Sequence, residues 1–408
     1  LPKRGTRLTG RGIMLLVLGV AATAGAGYLG ERDLMWVALT LAVLPLLAAG
    51  YLVLARPRVS HQRSLTPPTI PVGTSTRVVL QVANQSPAQA SALRFLDTAP
   101  DPLGGGAAFV IARGFGRWRQ AVGYTLEAAL RGRFEIGPLL GSAADPFGLA
   151  LRTFTAAGET TLLRVTPRVW PLGELTGGAG LGAAGDATPQ RIGQAGQDDV
   201  LVREHRHGDD MRRVHWKMSA KQGDLMVRLE EHPWDPSSTL IVDNRLDAHL
   251  GEGPTGSLEW AVSAVTSIAA LLVEGRYRLS VVAPSGTVFE SGHAVGHGAR
   301  HAMVEAMTDL APSEETWLGR AVTDTEALTS ASSIVAATGL LRAADAAALV
   351  AAGGRARSLV ALVPDARAWG AADDEHDDAC RLLRNHGWTI EAYAPGEPMP
   401  QVWKRVSR

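Results

Sequence analysis

The chain has 408 residues, enough for two or three domains with separate cores, and 46% of them are hydrophobic against 20% charged. Lys+Arg and Asp+Glu balance at 40 each, which removes any overall bias toward nucleic acid or other polyanions. The single cysteine, Cys380, excludes an intramolecular disulfide and a cysteine-rich metal site.

Two charge-free apolar runs open the chain, Ile13 to Leu29 and Leu34 to Leu54, and Glu31, Arg32 and Asp33 between them leave room only for a tight turn. A bilayer crossing takes roughly 20 apolar residues, so residues 1–60 are expected to form a two-helix transmembrane hairpin. Lys3, Arg4, Arg7 and Arg11 precede it, and Arg56, Arg58 and Arg63 follow. By the positive-inside rule this predicts a multi-pass protein of the plasma membrane with both ends cytoplasmic. The competing reading is a cleaved signal peptide, since Ala22-Thr23-Ala24 has the small-residue pattern of a cleavage site.

From residue 61 to about 170, short apolar alternations are cut by Gly, Pro, Asn and Ser. Strands are predicted at Thr76–Val82, Ala92–Leu96, Tyr124–Leu130, Arg133–Ile136 and Thr161–Val165, the spacing of a small all-β sandwich. Gly173–Gly196 reads as a linker: its Gly-rich core lacks the strand before it and the helix after it that a dinucleotide fingerprint requires.

Residues 171–236 form this linker and a densely charged segment. Between Arg203 and Glu231 stand seven Lys/Arg and six Asp/Glu. Met211, Val214, His215 and Met218 recur at helical spacing, which predicts an amphipathic helix from an Asp209 cap to Lys221. A short strand, Leu225–Glu230, follows, with its leucines and Val227 on one face and Met226 on the other.

Residues 237–408 alternate strands and helices. Strands are expected at Thr239–Asp243, Arg278–Ala283, Ser333–Ala337, Leu359–Val363 and Thr389–Tyr393. Helices are expected at Ser257–Glu274, Ala299–Leu310, Ala343–Ala351 and Asp374–Asn385. That order calls for a doubly wound, mostly parallel α/β sheet.

The charged segment contains Arg203-Glu204-His205, Gly208-Asp209-Asp210, Arg213-Val214-His215-Trp216, Ser219-Ala220-Lys221 and Leu225 to Glu230. Upstream stand Arg131 to Pro138, Asp145-Pro146-Phe147-Gly148-Leu149 and Val165-Thr166-Pro167. With these blocks in order behind a membrane hairpin, the chain resembles the domain of unknown function 58 family. The resemblance implies a von Willebrand factor A-like, Rossmann-like C-terminal domain and no catalytic residue. It implies as partners a MoxR-type AAA+ ATPase, other membrane proteins of the same operon and the lipid bilayer, and no nucleic acid. The function so implied is non-enzymatic, chaperone-like assembly or maturation of other proteins. Arg203, Asp209, Arg213, His215, Trp216, Lys221 and Arg228 are then the interaction residues, either facing a partner or holding the soluble domains together.

Adhesion-type domains of that fold hold Mg²⁺ at D-x-S-x-S after the first strand. Here Asp243 leads, but Arg245 and Asp247 stand where the serines belong. One reading is a degenerate cation site on Asp243 and Asp247. The other, favoured by the positive charge of Arg245, is an Asp243–Arg245 surface pair and no cofactor. Glu204, His205 and His207 have ligand chemistry but no third partner at a recognised spacing. The acidic run Asp373–Asp378 reads as a helix start stabilised by the helix dipole. With no nucleophile–base motif in view, a hydrolase at the strand carboxyl ends is the remaining alternative.

Overall fold

A computed structural model describes residues 5–55, 57–86, 93–112, 116–173, 202–204, 214, 216–228, 237–291, 297–323, 328, 331–354, 356–371 and 373–406. Two units follow from the pattern of contacts: Leu1–Val169 with Gly251–Thr266 and Val304–Ala311, and Trp170–Leu250 with Ser267–Met303 and Pro312–Arg408.

In the first unit, helices α1 (Gly10–Leu29) and α2 (Arg32–Ala55) are long and apolar enough to cross a membrane. Thr9 caps α1 by accepting from the Gly12 amide, and Gly30 ends it in the left-handed conformation. The two helices meet along small residues: Gly19 of α1 packs against Ala42 of α2, and Ala26 and Ala38, nearer the turn, are both buried. Small side chains let backbones approach, which is how apolar helices gain dispersion contact where no hydrophobic effect separates them from lipid. A Cβ on Gly19 would lie 2.4 Å from the Ala42 amide nitrogen. Gly19→Val is therefore expected to splay the hairpin and lower the melting temperature in detergent, while Gly27→Val, which meets nothing within 4 Å, leaves it unchanged.

Among the described residues this unit has β1 (Gly5–Leu8) before the helices and ten strands after them: β2 (Val59–Thr66), β3 (Thr69–Pro71), β4 (Ser75–Asn84), β5 (Leu93–Thr98), β6 (Gly106–Ile111), β7 (Trp118–Glu127), β8 (Gly132–Ile136), β9 (Leu139–Ala144), β10 (Ala150–Thr155) and β11 (Thr161–Thr166). They pair as β1-β10-β9-β5-β6, β2-β4-β7 and β3-β11-β8. In β4 the alternate residues Val78, Leu80 and Val82 are buried, the mark of a strand with one face to a core. Val59, Leu80 and Val82 share that core with Leu93, Phe95, Leu139 and Ala150, so the first two sheets face each other across it. Arg63, counted in the sequence as a basic flank of the hairpin, is instead fully buried here. Its guanidinium takes both oxygens of Asp97 and donates to the carbonyl of Ile136, because residues 59–66 already run as a core strand.

In the second unit, β14 (Ser237–Val242), β15 (Arg278–Ala283), β16 (Gly286–Glu290), β17 (Ser333–Ala337), β18 (Ser358–Pro364) and β19 (Thr389–Tyr393) form one sheet in the order β16-β15-β14-β17-β18-β19. All neighbours are parallel except the edge strand β16. Every residue of β14 and β17 is buried, which explains the apolar stretches Leu240–Val242 and Ile334–Ala337: parallel strands of this kind are covered on both faces, and the buried hydroxyls of Ser238 and Ser333 bond each other. Helices α4 (Ser257–Glu274), α5 (His297–Asp309), α6 (Arg320–Thr323), α7 (Ala343–Gly353), α8 (Asp374–Asn385) and α9 (Met399–Val406) intervene or follow. Asp373 caps α8 by accepting from the His376 amide. Helix α4 also has the length and hydropathy of a span but is 83% buried, so its apolar surface belongs to the protein interior.

Candidate functional site

The signature segment is a small antiparallel pair, β12 (Val202–Glu204) with β13 (Met226–Arg228), and a seven-residue helix α3 (Trp216–Gln222). Ser219 ties the helix to the strand, its hydroxyl accepting from the Met226 amide at 2.8 Å. Two expectations change here. Val214, placed by its spacing on a helix, instead bridges Val227 in an antiparallel contact. Met226 and Val227 are both buried and Leu225 is exposed, so the segment does not alternate as its sequence suggests.

Of the seven interaction residues, Asp209, Arg213 and His215 lie outside the described residues, as do His205, His207 and most of the Gly-rich linker. Arg203 and Arg228 sit on β12 and β13. Lys221 is exposed, and Trp216, whose size suggests burial, is 65% exposed at the start of α3.

The second constellation lies where the sheet order reverses. Strands β14 and β17 are neighbours whose connections leave in opposite directions, and in open α/β sheets the crevice beyond such carboxyl ends is where ligands gather. Asp243 follows β14 and is 0% exposed; Arg245, two residues on, is 1% exposed. Asp243 Oδ1 accepts from Arg245 Nε at 2.9 Å and the Arg245 amide at 3.1 Å; Oδ2 accepts from Nη2 at 2.8 Å and the Gly339 amide at 3.1 Å. Arg245 Nη1 donates to Asp345 Oδ2 at 3.0 Å and the Thr316 carbonyl at 3.2 Å, and Nη2 also reaches the Leu340 carbonyl at 3.5 Å. All five guanidinium donors are thus directed at acceptors. Asp345, in the first turn of α7, further accepts from the amides of Leu318 and Arg342, each at 3.0 Å.

Burial by itself would raise the Asp243 pKa; the bonds from Arg245 and the charges of His249 and Arg245 outweigh it and hold the carboxyl below its usual range. Burial would likewise lower Arg245, but the bonds and charges of Asp243 and Asp345 hold it above its ordinary value. The Asp243–Arg245 pair read from the sequence at the surface is therefore a fully buried one, with a second carboxylate from a hundred residues away. Asp247 turns elsewhere, to the exposed guanidinium of Arg342 at 2.9 Å.

This donor set does not fit a divalent cation. Both oxygens of Asp243 face a fixed guanidinium, and a second positive charge there would be repelled. Among the described residues no group of three or more His, Cys, Asp or Glu is placed to hold a metal. Cys380 is also unsuited to nucleophilic work, since burial pushes its thiol up to about 11. Its neighbour His376 lies 3.7 Å away but accepts from the Leu341 amide at Nδ1, which leaves the ring proton on Nε2, facing the sulfur and the Pro364 carbonyl. That nitrogen cannot take a proton from the thiol.

Residues 201–367 match a family model described as "Protein of unknown function DUF58". No curated protein matches the chain. Among solved structures it is similar to the CARDB domain of the PF1109 protein from Pyrococcus furiosus, in complex with di-metal ions, at 9% identity over 25% of this chain and 96% of that one, with a TM-score of 0.18. It is similar to the Pseudomonas fluorescens alkylpurine DNA glycosylase AlkC bound to DNA containing an abasic site analog, at 14% identity over 31% and 40%, with a TM-score of 0.16. Cwp6 from Clostridium difficile aligns at 7% identity over 84% of this chain and 38% of that one, with a TM-score of 0.13. Similarity at these scores carries no argument about fold or function.

Proposed function

From the match of residues 201–367 to the DUF58 model, we propose that the chain is a membrane-anchored, non-enzymatic interaction protein of that family that works with a MoxR-type AAA+ ATPase in the assembly or maturation of other proteins. In this reading α1 and α2 cross the plasma membrane, with the chain termini and soluble units in the cytoplasm, and the α/β sheet is a von Willebrand factor A-like domain. The observation that carries the reading is Arg245. The crevice in which sheets of this order take ligands or do chemistry is filled by the chain's own guanidinium, anchored between two buried carboxylates. The sheet order with its antiparallel edge strand supports the domain assignment.

What remains for recognition is surface, and Trp216 on the signature helix is the residue best suited to it. A large exposed aromatic with a ring N–H is the side chain most often found to dominate binding when it becomes covered. The test is a pulldown of the tagged full chain from solubilised membranes, with and without ATP. A MoxR-type ATPase is expected with the native chain. With Trp216→Ala its recovery should fall about tenfold or more, the scale of a binding hot spot at 1.4 kcal/mol per decade. Recovery of no ATPase at all, with the chain intact and membrane-bound, sinks the proposal.

A further inference from the structure

Helix α2 has 24 residues, so it is about 36 Å long against about 30 Å of hydrocarbon in a bilayer. It does not lead into a tether. Ala48 and Leu52 belong to the core of the β-rich unit, with Leu44 and Ala49 packed against it. Arg152 on β10 donates to the carbonyls of Leu52 at 3.1 Å and Val53 at 3.4 Å, two of the groups a helix end leaves unpaired. Helix α1 starts at the same place. The Thr9 amide donates to the Leu149 carbonyl at 2.9 Å and its hydroxyl to the Gly148 carbonyl at 2.7 Å. A Cβ on Gly12 would sit 2.1 Å from the Leu149 oxygen, so only glycine permits this seat. Helix α1 is therefore seated on the loop Asp145–Leu149, and α2 is held by β10, the strand that leaves that loop.

That loop is stiff. The buried Asp145 carboxylate accepts from the Phe147 amide at 2.8 Å and the Ala150 amide at 2.6 Å. The resulting bend leaves Phe147 68% exposed. With Pro146 the ring borders an apolar groove of about 250 Å³ whose other wall is Leu44, Leu47, Ala48 and Tyr51 of α2. If α2 is centred on the hydrocarbon, residues 44–51 lie roughly 4 to 14 Å inside its surface at 1.5 Å per residue.

We propose that Phe147 is a membrane-inserted wedge: its ring enters the leaflet beside the C-terminal end of α2, and a lipid acyl chain occupies the groove between them. The occupant follows from continuity, because one wall of the groove is a helix whose remaining surface already faces lipid. Burying such a ring among acyl chains gains the free energy of removing its apolar surface from water, a gain that an aqueous position would withhold. The β-rich unit accordingly sits on the bilayer and does not hang below it. This inference rests on the reading of α1 and α2 as membrane-spanning.

The test uses the full chain in vesicles of phosphatidylethanolamine and phosphatidylglycerol. A polarity-sensitive fluorophore is attached to Phe147→Cys, to Leu39→Cys in the middle of α2, or to Val110→Cys. The native thiol, Cys380, is buried and protonated, so each label goes to the introduced site. Val110 lies on β6, at the opposite edge of the sheet from β1 and four strand spacings, about 19 Å, away from it. In plain vesicles the emission of the label at 147 should be blue-shifted, and lipids spin-labelled high on the acyl chain should quench it, to an extent comparable with that at 39, while the label at 110 is neither shifted nor quenched. Quenching at 39 with none at 147 overturns the inference and leaves the membrane reading intact. Absence of quenching at 39 removes the membrane reading, and this inference with it.

Discussion

Arg245→Met is expected to destabilise the second unit by about 3–5 kcal/mol at neutral pH, the cost of leaving buried charges without their partner. The loss is specific to this geometry. Asp243 and Asp345 are both fully buried, and no other cation among the described residues contacts either carboxylate through a salt bridge. The pH dependence follows from the direction of the native shift. In the native chain the Asp243 pKa is depressed, so its contribution is complete above the usual carboxylate range and is lost as pH falls through the folded value. In Arg245→Met the bonds that depress it are gone and burial raises it instead. Such a group favours the folded state while protonated and disfavours it once pH rises past its unfolded value. The deficit relative to the native chain should therefore be largest near pH 7, shrink as pH falls from the raised pKa of the variant toward the unfolded carboxylate value of about 4, and shrink further as pH falls below that toward the depressed native pKa. Denaturant midpoints of the full chain in detergent, measured across pH 4 to 8, check this. A deficit independent of pH would falsify the charge argument and leave only lost packing.

The same cluster shows where sequence reasoning runs out. Asp243 and Arg245 are two residues apart and suggest a pair on sight. Asp345 is a hundred residues further on, at the start of another helix, and no local pattern reports that both carboxylates share one guanidinium. The acid in the first turn of α7 could be foreseen as a helix-start residue, not as a ligand of Arg245. The α/β elements were legible because fully buried parallel strands and amphipathic helices write strong periodicities. The helix Ser257–Glu274 and the strand Ser333–Ala337 fall where the spacing places them. Strand β16, exposed at the edge, carried too little apolar signal, whereas α9 is only two turns long and its Met399, Val402, Trp403 and Val406 recur at a helical spacing that could have found it.

In the β-rich unit the omissions have a different cause. Strand β9 reads Leu-Leu-Gly-Ser-Ala-Ala and is buried at alternate positions, but its inward residues include Gly141, against which the ring of Phe154 packs, so the missing bulk comes from a neighbouring strand. Strand β2 carries His61 and Arg63 into the interior, where they look polar in sequence and are buried in the fold. The signature segment misled in the opposite way. Its i, i+3, i+4 spacing suggested one long helix, while Val214 is buried by pairing with a strand and the helix begins at Trp216.

Arg131, in the block that resembles the family upstream, makes the complementary case. It is buried with Glu259, its Nη1 donating to Oε1, and its Nη2 donates to the Leu310 carbonyl at 2.6 Å. Arg131 Nε and Glu259 Oε2 are buried without a hydrogen-bond partner among the described residues. Burial pushes the Glu259 pKa up and that of Arg131 down, and in neither does the partner's charge and bond restore the ordinary value. These are the opposite signs to Asp243 and Arg245. Desolvation wins over pairing here, and the carboxylate of Glu259 weakens the fold as pH rises through its raised pKa. Arg131→Met alone should still cost about 3–5 kcal/mol, because it strands Glu259 in the interior. Combining it with Glu259→Leu removes both charges, leaves only the Leu310 carbonyl short of a donor, and is expected to recover native stability or exceed it by up to about 4 kcal/mol. The corresponding replacement of Arg245, Asp243 and Asp345 together should not recover, because those carboxylates also hold the amides of Gly339, Leu318 and Arg342, which would be left without acceptors. Thermal and denaturant midpoints of the two sets decide the matter. If the Arg131/Glu259 double variant is as unstable as Arg131→Met alone, the pair contributes through packing that the charges do not explain.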